Sequence, residues 1–235
     1  SSKYSYIEKP PYFVYLDILY KLTNVKIPSS VLCIEDNAFE ECSSLESIEI
    51  PSSVTKIGSS CFSGCRSLLS IRIPQSVTSI ECHAFSTCKS LESINIPSSI
   101  TEISTGVFAN CSSLESIVIP SSVVKISSYV FEGCTSLENI EIPSSVTHIG
   151  SNTFKGCISL VSISITSVTT FEKSAFSDCT SLKSVILSSS LETIPERTFY
   201  ACSSLKNIKI PSSVTKIDEY AFQGCSSLEK IEIPS

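Results

Sequence analysis

The apolar residues of this chain fall into a pattern that returns every 23 residues. Phe-x-x-Cys pairs mark it: Phe39/Cys42, Phe62/Cys65, Phe85/Cys88, Phe108/Cys111, Phe131/Cys134, Phe154/Cys157, Phe176/Cys179, Phe199/Cys202 and Phe222/Cys225. The step is 23 residues throughout, except from Phe154 to Phe176, where it is 22. Around each pair the frame Ile-Pro-Ser-Ser-Val-Thr-x-Ile precedes Ala-Phe-x-x-Cys-x-Ser-Leu-x-x-Ile-x-Ile. In Leu45-Glu46-Ser47-Ile48-Glu49-Ile50 the last three residues alternate in, out, in, which predicts a strand with one buried face. Pro51 has no N–H to give a ladder and ends that strand. Val54 and Ile57 then point inward from a return arm. The stretch Gly58 to Gly64 predicts one helical or 3-10 turn, with Phe62 and Cys65 on its inward face. Gly64, Gly133, Gly156 and Gly224 suit the positive-φ position that closes such a turn.

One unit has no core of its own, so the units must stack. A period of 20–29 residues carrying Leu-x-x-Ile-x-Ile is the mark of a leucine-rich repeat solenoid. The predicted architecture is a parallel concave β-sheet of about ten strands, with short turns and return arms on the convex side. At ~4.8 Å per strand the concave face is on the order of 45 Å long. The tenth strand comes from reading the frame backwards: Leu22 to Pro28 stands 23 residues before Leu45 to Pro51. Leu16 and Leu19 then take the Phe and Cys slots. Residues 1–24 are therefore expected to hold an N-terminal cap with a helix from Pro11, and 25–235 the repeats, with an uncapped C-terminal end. Between Ile165 and Val168 stand two residues, Thr166-Ser167, where other units have Pro-Ser-Ser. The missing residue falls in the turn, which leaves the core frame intact.

The frame resembles the BspA-like, or Treponema-type, leucine-rich repeat, and its wording Ile-Pro-Ser-Ser-Val-Thr-Lys-Ile-Gly…Phe-x-Gly-Cys-x-Ser-Leu looks most like the surface proteins of trichomonad protists. The resemblance covers about residues 22–235. It implies a protein displayed on the cell surface, with adhesion to host cells or to extracellular-matrix proteins as its activity. It transfers no catalytic motif.

Composition narrows the picture further. With 17 Lys+Arg against 23 Asp+Glu the net charge is −6, which argues against a nucleic-acid partner. No apolar run approaches the ~18 residues that would span a bilayer, so no membrane insertion is expected. The twelve Cys tempt a metal or disulfide reading. A 23-residue step, however, places one thiol per layer, with neither the spacing of a zinc site nor the Cβ approach of a disulfide. The ladder reads as small buried hydrophobes. Cys61 takes the Ala slot beside Phe62; Cys33 and Cys82 fall at variable, exposed positions. His83 and His148 are the only histidines, at non-equivalent exposed places, and no hydrolase triad assembles from them. Asn110-Cys111-Ser112 is a formal glycosylation sequon, but Asn110 occupies the slot of Gly64 and reads as a turn former. No cofactor is called for.

Two variable rows remain on the concave face. One runs Lys26, Glu49, Arg72, Asn95, Val118, Glu141, Ser164, Ile186, Lys209, Glu232; the other includes Leu69 and Val161 among Glu and Lys. Solvated rows drift freely, yet exposed aliphatics on a constant scaffold favour binding. The candidate ligand-binding residues are Leu69, Arg72, Asn95, Val118, Glu141, Val161, Ser164, Ile186 and Lys209. The expected function is non-enzymatic recognition of a host-cell-surface or matrix protein, or a glycan, on this sheet. The alternative is a structural coat component that associates with copies of itself through its ends or edges.

Overall fold

The computed structural model describes residues 21–232. Apart from 21–24, the expected N-terminal cap, with Leu16 and Leu19, lies outside the described residues. Three rows of backbone pairing follow the solenoid, two of strands and one of turns. The inner ladder holds ten strands among the described residues: Asn24–Lys26, Ser47–Glu49, Ser70–Ile71, Ser93–Ile94, Ser116–Val118, Asn139–Glu141, Ser162–Ile165, Ser184–Leu187, Asn207–Lys209 and Lys230–Glu232. These strands pair in parallel one repeat apart in five two-stranded sheets, Asn24 with Ser47 and Ile117 with Ile140 for example, and no ladder pairing joins Asn139–Glu141 to Ser162–Ile165 or Ser184–Leu187 to Asn207–Lys209. Single bridges join Glu49 to Arg72 and Asn95 to Val118.

A second ladder sits on the return arm, where the sequence predicted only inward-pointing residues. Nine two-residue strands, from Cys33–Ile34 to Lys216–Ile217, line that flank and pair in parallel in three groups of three, four and two. Their second residue is buried in all but the last: Ile34, Ile57, Ile80, Ile103, Ile126, Ile149, Phe171 and Ile194 are in the core, whereas Ile217 is exposed.

The third ladder corrects the expected helical turns: no helix forms among the described residues. The residues two before and two after each Phe carry positive φ, as at Tyr129 (62°) and Gly133 (69°) around Phe131. A left-handed residue at the first of these positions stops a right-handed turn from propagating. Alternate amides instead reach across to the next repeat. Tyr129, Phe131 and Gly133 donate to the carbonyls of Ser151, Thr153 and Lys155 at 2.8–2.9 Å. Every second amide of the turn is thus satisfied by the neighbouring layer.

The 22-residue unit is absorbed in the turn after its strand. Ser162 to Ile165 pairs with Ser184 to Leu187 in unbroken register, and Thr170 returns to register with His148. These two strands are four residues long, where the others have two or three. They are also the units with Thr166 and Ser188 in place of Pro. Where Pro follows the last Ile there is no N–H to extend the ladder.

The core is one continuous column. The Phe rings from Phe39 to Phe222 stack layer on layer with centroids 5.3–6.0 Å apart. Phe39 to Phe199 are buried, and Phe222 and Cys225, in the last described layer, are partly so.

A candidate recognition face on the concave sheet

The constant residues of the repeat hold the face rigid. The thiols do more than fill space: Cys65, Cys88, Cys111, Cys134, Cys157, Cys179, Cys202 and Cys225 each donate to the Phe carbonyl of the preceding layer at 3.1–3.2 Å. Cys42 heads the column, fully buried. Burial pushes the thiols up, Cys42 to about 11 and Cys111 to about 12. Cys61 is fully buried, while Cys33 and Cys82 are half-buried rather than exposed.

The turn serines act in the same way. The Ser before each inward Val donates to the backbone carbonyl one layer back: Ser53 to Val31, Ser76 to Val54, Ser122 to Ile100 and Ser145 to Val123 at 2.6–2.7 Å. The shortened unit keeps this residue, with Ser167 bonded to Val146 at 3.0 Å. The sign of this bonding role in the sequence is a Ser that persists where any small polar residue would turn the chain. Ser122→Ala is expected to cost about 1 kcal/mol, read as a lower urea midpoint at unchanged m-value.

Both histidines sit off the concave sheet. His83 is exposed, with φ 57° on the turn ladder. His148 is half-buried on the flank, a correction to its expected exposure, with Nδ1 3.0 Å from Thr170 Oγ1 and Nε2 3.3 Å from Glu172 Oε1. Hydroxyl, imidazole and carboxylate thus stand in sequence, which the repeat spacing had hidden. The neighbouring amides do not converge on a vacant point: Thr170 N donates to Thr147 O, Glu172 N to Ile149 O and Ser151 N to Glu172 Oε2. Without an oxyanion site the trio is a hydrogen-bonded chain across two layers. Its bonds from Ser151 and the nearby His148 hold the Glu172 carboxyl below its usual range. Asn110 is exposed with φ 61°, in the turn position its sequence slot gives it.

On the concave sheet the variable rows point outward. Val118 is 81% exposed, Ile186 58%, Leu69 51% and Val161 37%. Arg72, Glu141, Ser164 and Lys209 are exposed beside them. Asn95 is exposed but engaged: its amide oxygen accepts from Ile73 N at 3.1 Å and its nitrogen donates to Ile73 O at 3.0 Å. It mimics a strand edge where the ladder is only two residues long. Shallow depressions open between strand ends, one lined by Val118, Asn139, Glu141 and Pro143, another by Glu49, Arg72, Pro74 and Gln75.

The repeat frame itself decides the family. A family model described as the BspA type leucine-rich repeat region, in six copies, matches residues 17–138 and 124–235. The chain belongs to this family. Solved structures agree with this BspA-type assignment. A leucine-rich repeat protein of T. pallidum is 34% identical, with 69% of this chain and 78% of that one covered at a TM-score of 0.64. One from Bacteroides ovatus is 30% identical over 90% of this chain and 79% of its own, TM-score 0.52. A leucine-rich cell surface protein of Faecalibacterium prausnitzii is 31% identical over 90% and 73%, TM-score 0.50. No curated protein matches. Among the described residues of this BspA-type chain no helix is long and apolar enough to cross a membrane.

Proposed function

We propose that this chain is the recognition module of a cell-surface protein and holds a protein partner on its concave sheet. The observation that carries this reading is where variation and charge pairing fall. The ion pairs Lys56–Glu81, Arg66–Glu41, Lys125–Glu102, His148–Glu172, Lys155–Glu132, Arg197–Glu196 and Lys216–Asp218 all lie on the flank and turn faces. The concave rows instead present aliphatics to water, with Val118 81% exposed on a rigid strand. Exposed, rigid aliphatics flanked by charge are what a protein interface uses as its dry centre. Membership of a family with a cell-surface relative supports placing the module outside the cell, and host-cell or matrix proteins as its partners.

The test is capture from a panel of matrix proteins and glycans by the wild type and by Val118→Asp/Ile186→Asp. The double variant is expected to lose capture by at least about tenfold, with a melting temperature within a few degrees of wild type, since both side chains are solvated. Equal capture by the two proteins would remove the concave sheet from the function.

A further inference from the structure

The concave face is divided by charge along the solenoid. At the strands from Ser93–Ile94 to Asn139–Glu141 its outward residues include Glu92, Glu115, Glu138 and Glu141; at Ser184–Leu187 and Asn207–Lys209 they include Lys183, Lys206 and Lys209. All seven are exposed, and none has an ion-pair partner among the described residues. Stacked at the ~4.8 Å strand spacing, like charges of one row repel, which costs the free protein stability. The strand between the halves, Ser162–Ile165, brings Val161 and Ser164 and no charge. Exposed aliphatics link the two halves: Val118 in the acidic one, Val161 at the boundary and Ile186 in the basic one. The depression lined by Val118, Asn139, Glu141 and Pro143 sets an apolar wall next to a carboxylate. That pairing suits the methylene stem and charged head of a Lys or Arg side chain.

We infer that the partner segment this face takes is an extended polypeptide of complementary polarity, basic at one end, aliphatic in the middle and acidic at the other. The inference rests on the reading of the concave sheet as the recognition surface. The basic end lies over Glu92, Glu115 and Glu138, with one Lys or Arg stem against Val118 and its head at Glu141. The aliphatics of the segment meet Val161 and Ile186, and its carboxylates meet Lys183, Lys206 and Lys209. From the Glu92 layer to the Lys206 layer is five strand steps, roughly 24 Å, which an extended chain covers with about seven or eight residues. The segment crosses the strands and is held by side chains, because strand N–H and C=O groups point within the sheet toward neighbouring strands. A flexible chain follows a concave surface, which a straight helix would bridge. Ordering that chain consumes part of the gain, so the contact is weak for one copy and sensitive to salt. The two charge blocks also select by repulsion: a segment of one sign, or with its signs alternated, lays like charge on like.

Fluorescence anisotropy with two labelled twelve-residue peptides of identical composition tests it. One carries three Lys at one end, three Glu at the other and Leu, Val and Gly between; the other carries the same residues with Lys and Glu alternating. The blocked peptide is expected to bind at least about tenfold tighter at about 50 mM salt, and to weaken about tenfold or more by 500 mM. Glu115→Gln/Glu138→Gln/Glu141→Gln and Lys183→Gln/Lys206→Gln/Lys209→Gln are each expected to lose that preference. Their melting temperatures are expected to stay within a few degrees of wild type, since the side chains are solvated and the repulsion within a row is relieved. Equal affinity for the two peptides, no binding of the blocked one at about 1 mM, or a preference that survives both triple variants overturns the proposal. A panel protein captured by the wild type and by both Gln triples, yet lost by Val118→Asp/Ile186→Asp, would sustain the recognition reading while the charge-ordered segment fell.

Discussion

Replacing Phe131 with Ala is expected to cost the fold roughly 3–5 kcal/mol. The ring is fully buried and lies between Phe108, at 5.8 Å, and Phe154, at 5.4 Å, so removing it opens a void bounded by two layers. The walls cannot collapse into it. Phe131 N is bonded to Thr153 O and Cys157 Sγ to Phe131 O, which pins the backbone from both sides. In a stack where each layer touches only its neighbours, the loss also loosens the coupling between the two halves. Equilibrium urea titration reads the effect as a fall in midpoint, and a broadened or two-step transition would report the uncoupling. A loss below about 1 kcal/mol would show that the ring is not a structural element of the column.

Thiol labelling of the native protein is expected to divide the cysteines sharply. Cys33 and Cys82 are half-buried and within reach of reagent, while Cys65 to Cys202 on the column are fully buried. Burial pushes the column thiols up, Cys42 to about 11, which lowers their thiolate fraction at pH 8; Cys33 is also raised, by burial first and then by Glu35, so its faster labelling rests on access. Steric exclusion keeps reagent from the column. Mass spectrometry after a short pulse of iodoacetamide is expected to find the label on Cys33 and Cys82 first and on Cys225, at the partly buried end, next. The interior column is expected to react only in urea. Column thiols modified as fast as Cys33 would contradict the buried bonding seen here.

The fold was legible because its evidence is periodic. Leu45, Ile48 and Ile50 fix the strand and its buried face, and the 23-residue step fixes the stacking and the parallel register. The turn was misread for a reason visible at single residues. Spacing three apart, as for Phe62 and Cys65, is shared by a helix and by a pair of tight turns. What separates them is the φ of Ser60 and its equivalents, which side chains as varied as His83, Tyr129 and Arg197 adopt under pressure from the neighbouring layer. The flank ladder escaped notice because two-residue strands have no alternation to detect. The Cys ladder reads by size as small hydrophobes, whereas the bonds of Cys and of the turn Ser depend on which carbonyl lies one layer below, a relation between repeats that no single unit displays. The outward rows of the concave sheet were legible as positions, since alternation assigns them. The engagement of Asn95 with Ile73 was not, because it arises only where two strands happen to be short.

The single 22-residue unit bears on how the chain finds its register at all. Repeats that read so nearly alike offer a folding chain many wrong neighbours: a slip of one whole unit pairs Ile with Ile and Phe with Phe, and costs little beyond one looped-out segment. Such translational degeneracy is the hazard of a perfect array. Four-residue strands at Ser162–Ile165 and Ser184–Leu187 match only each other, and Phe171, set edge-on to Phe176 at 77°, stands where other units carry Ile. A slipped pairing across this point strands the extra rungs against a Pro and leaves the large ring without its niche. The irregular unit thus serves as a reference mark within the array, tying the layers on either side of it to one alignment out of many.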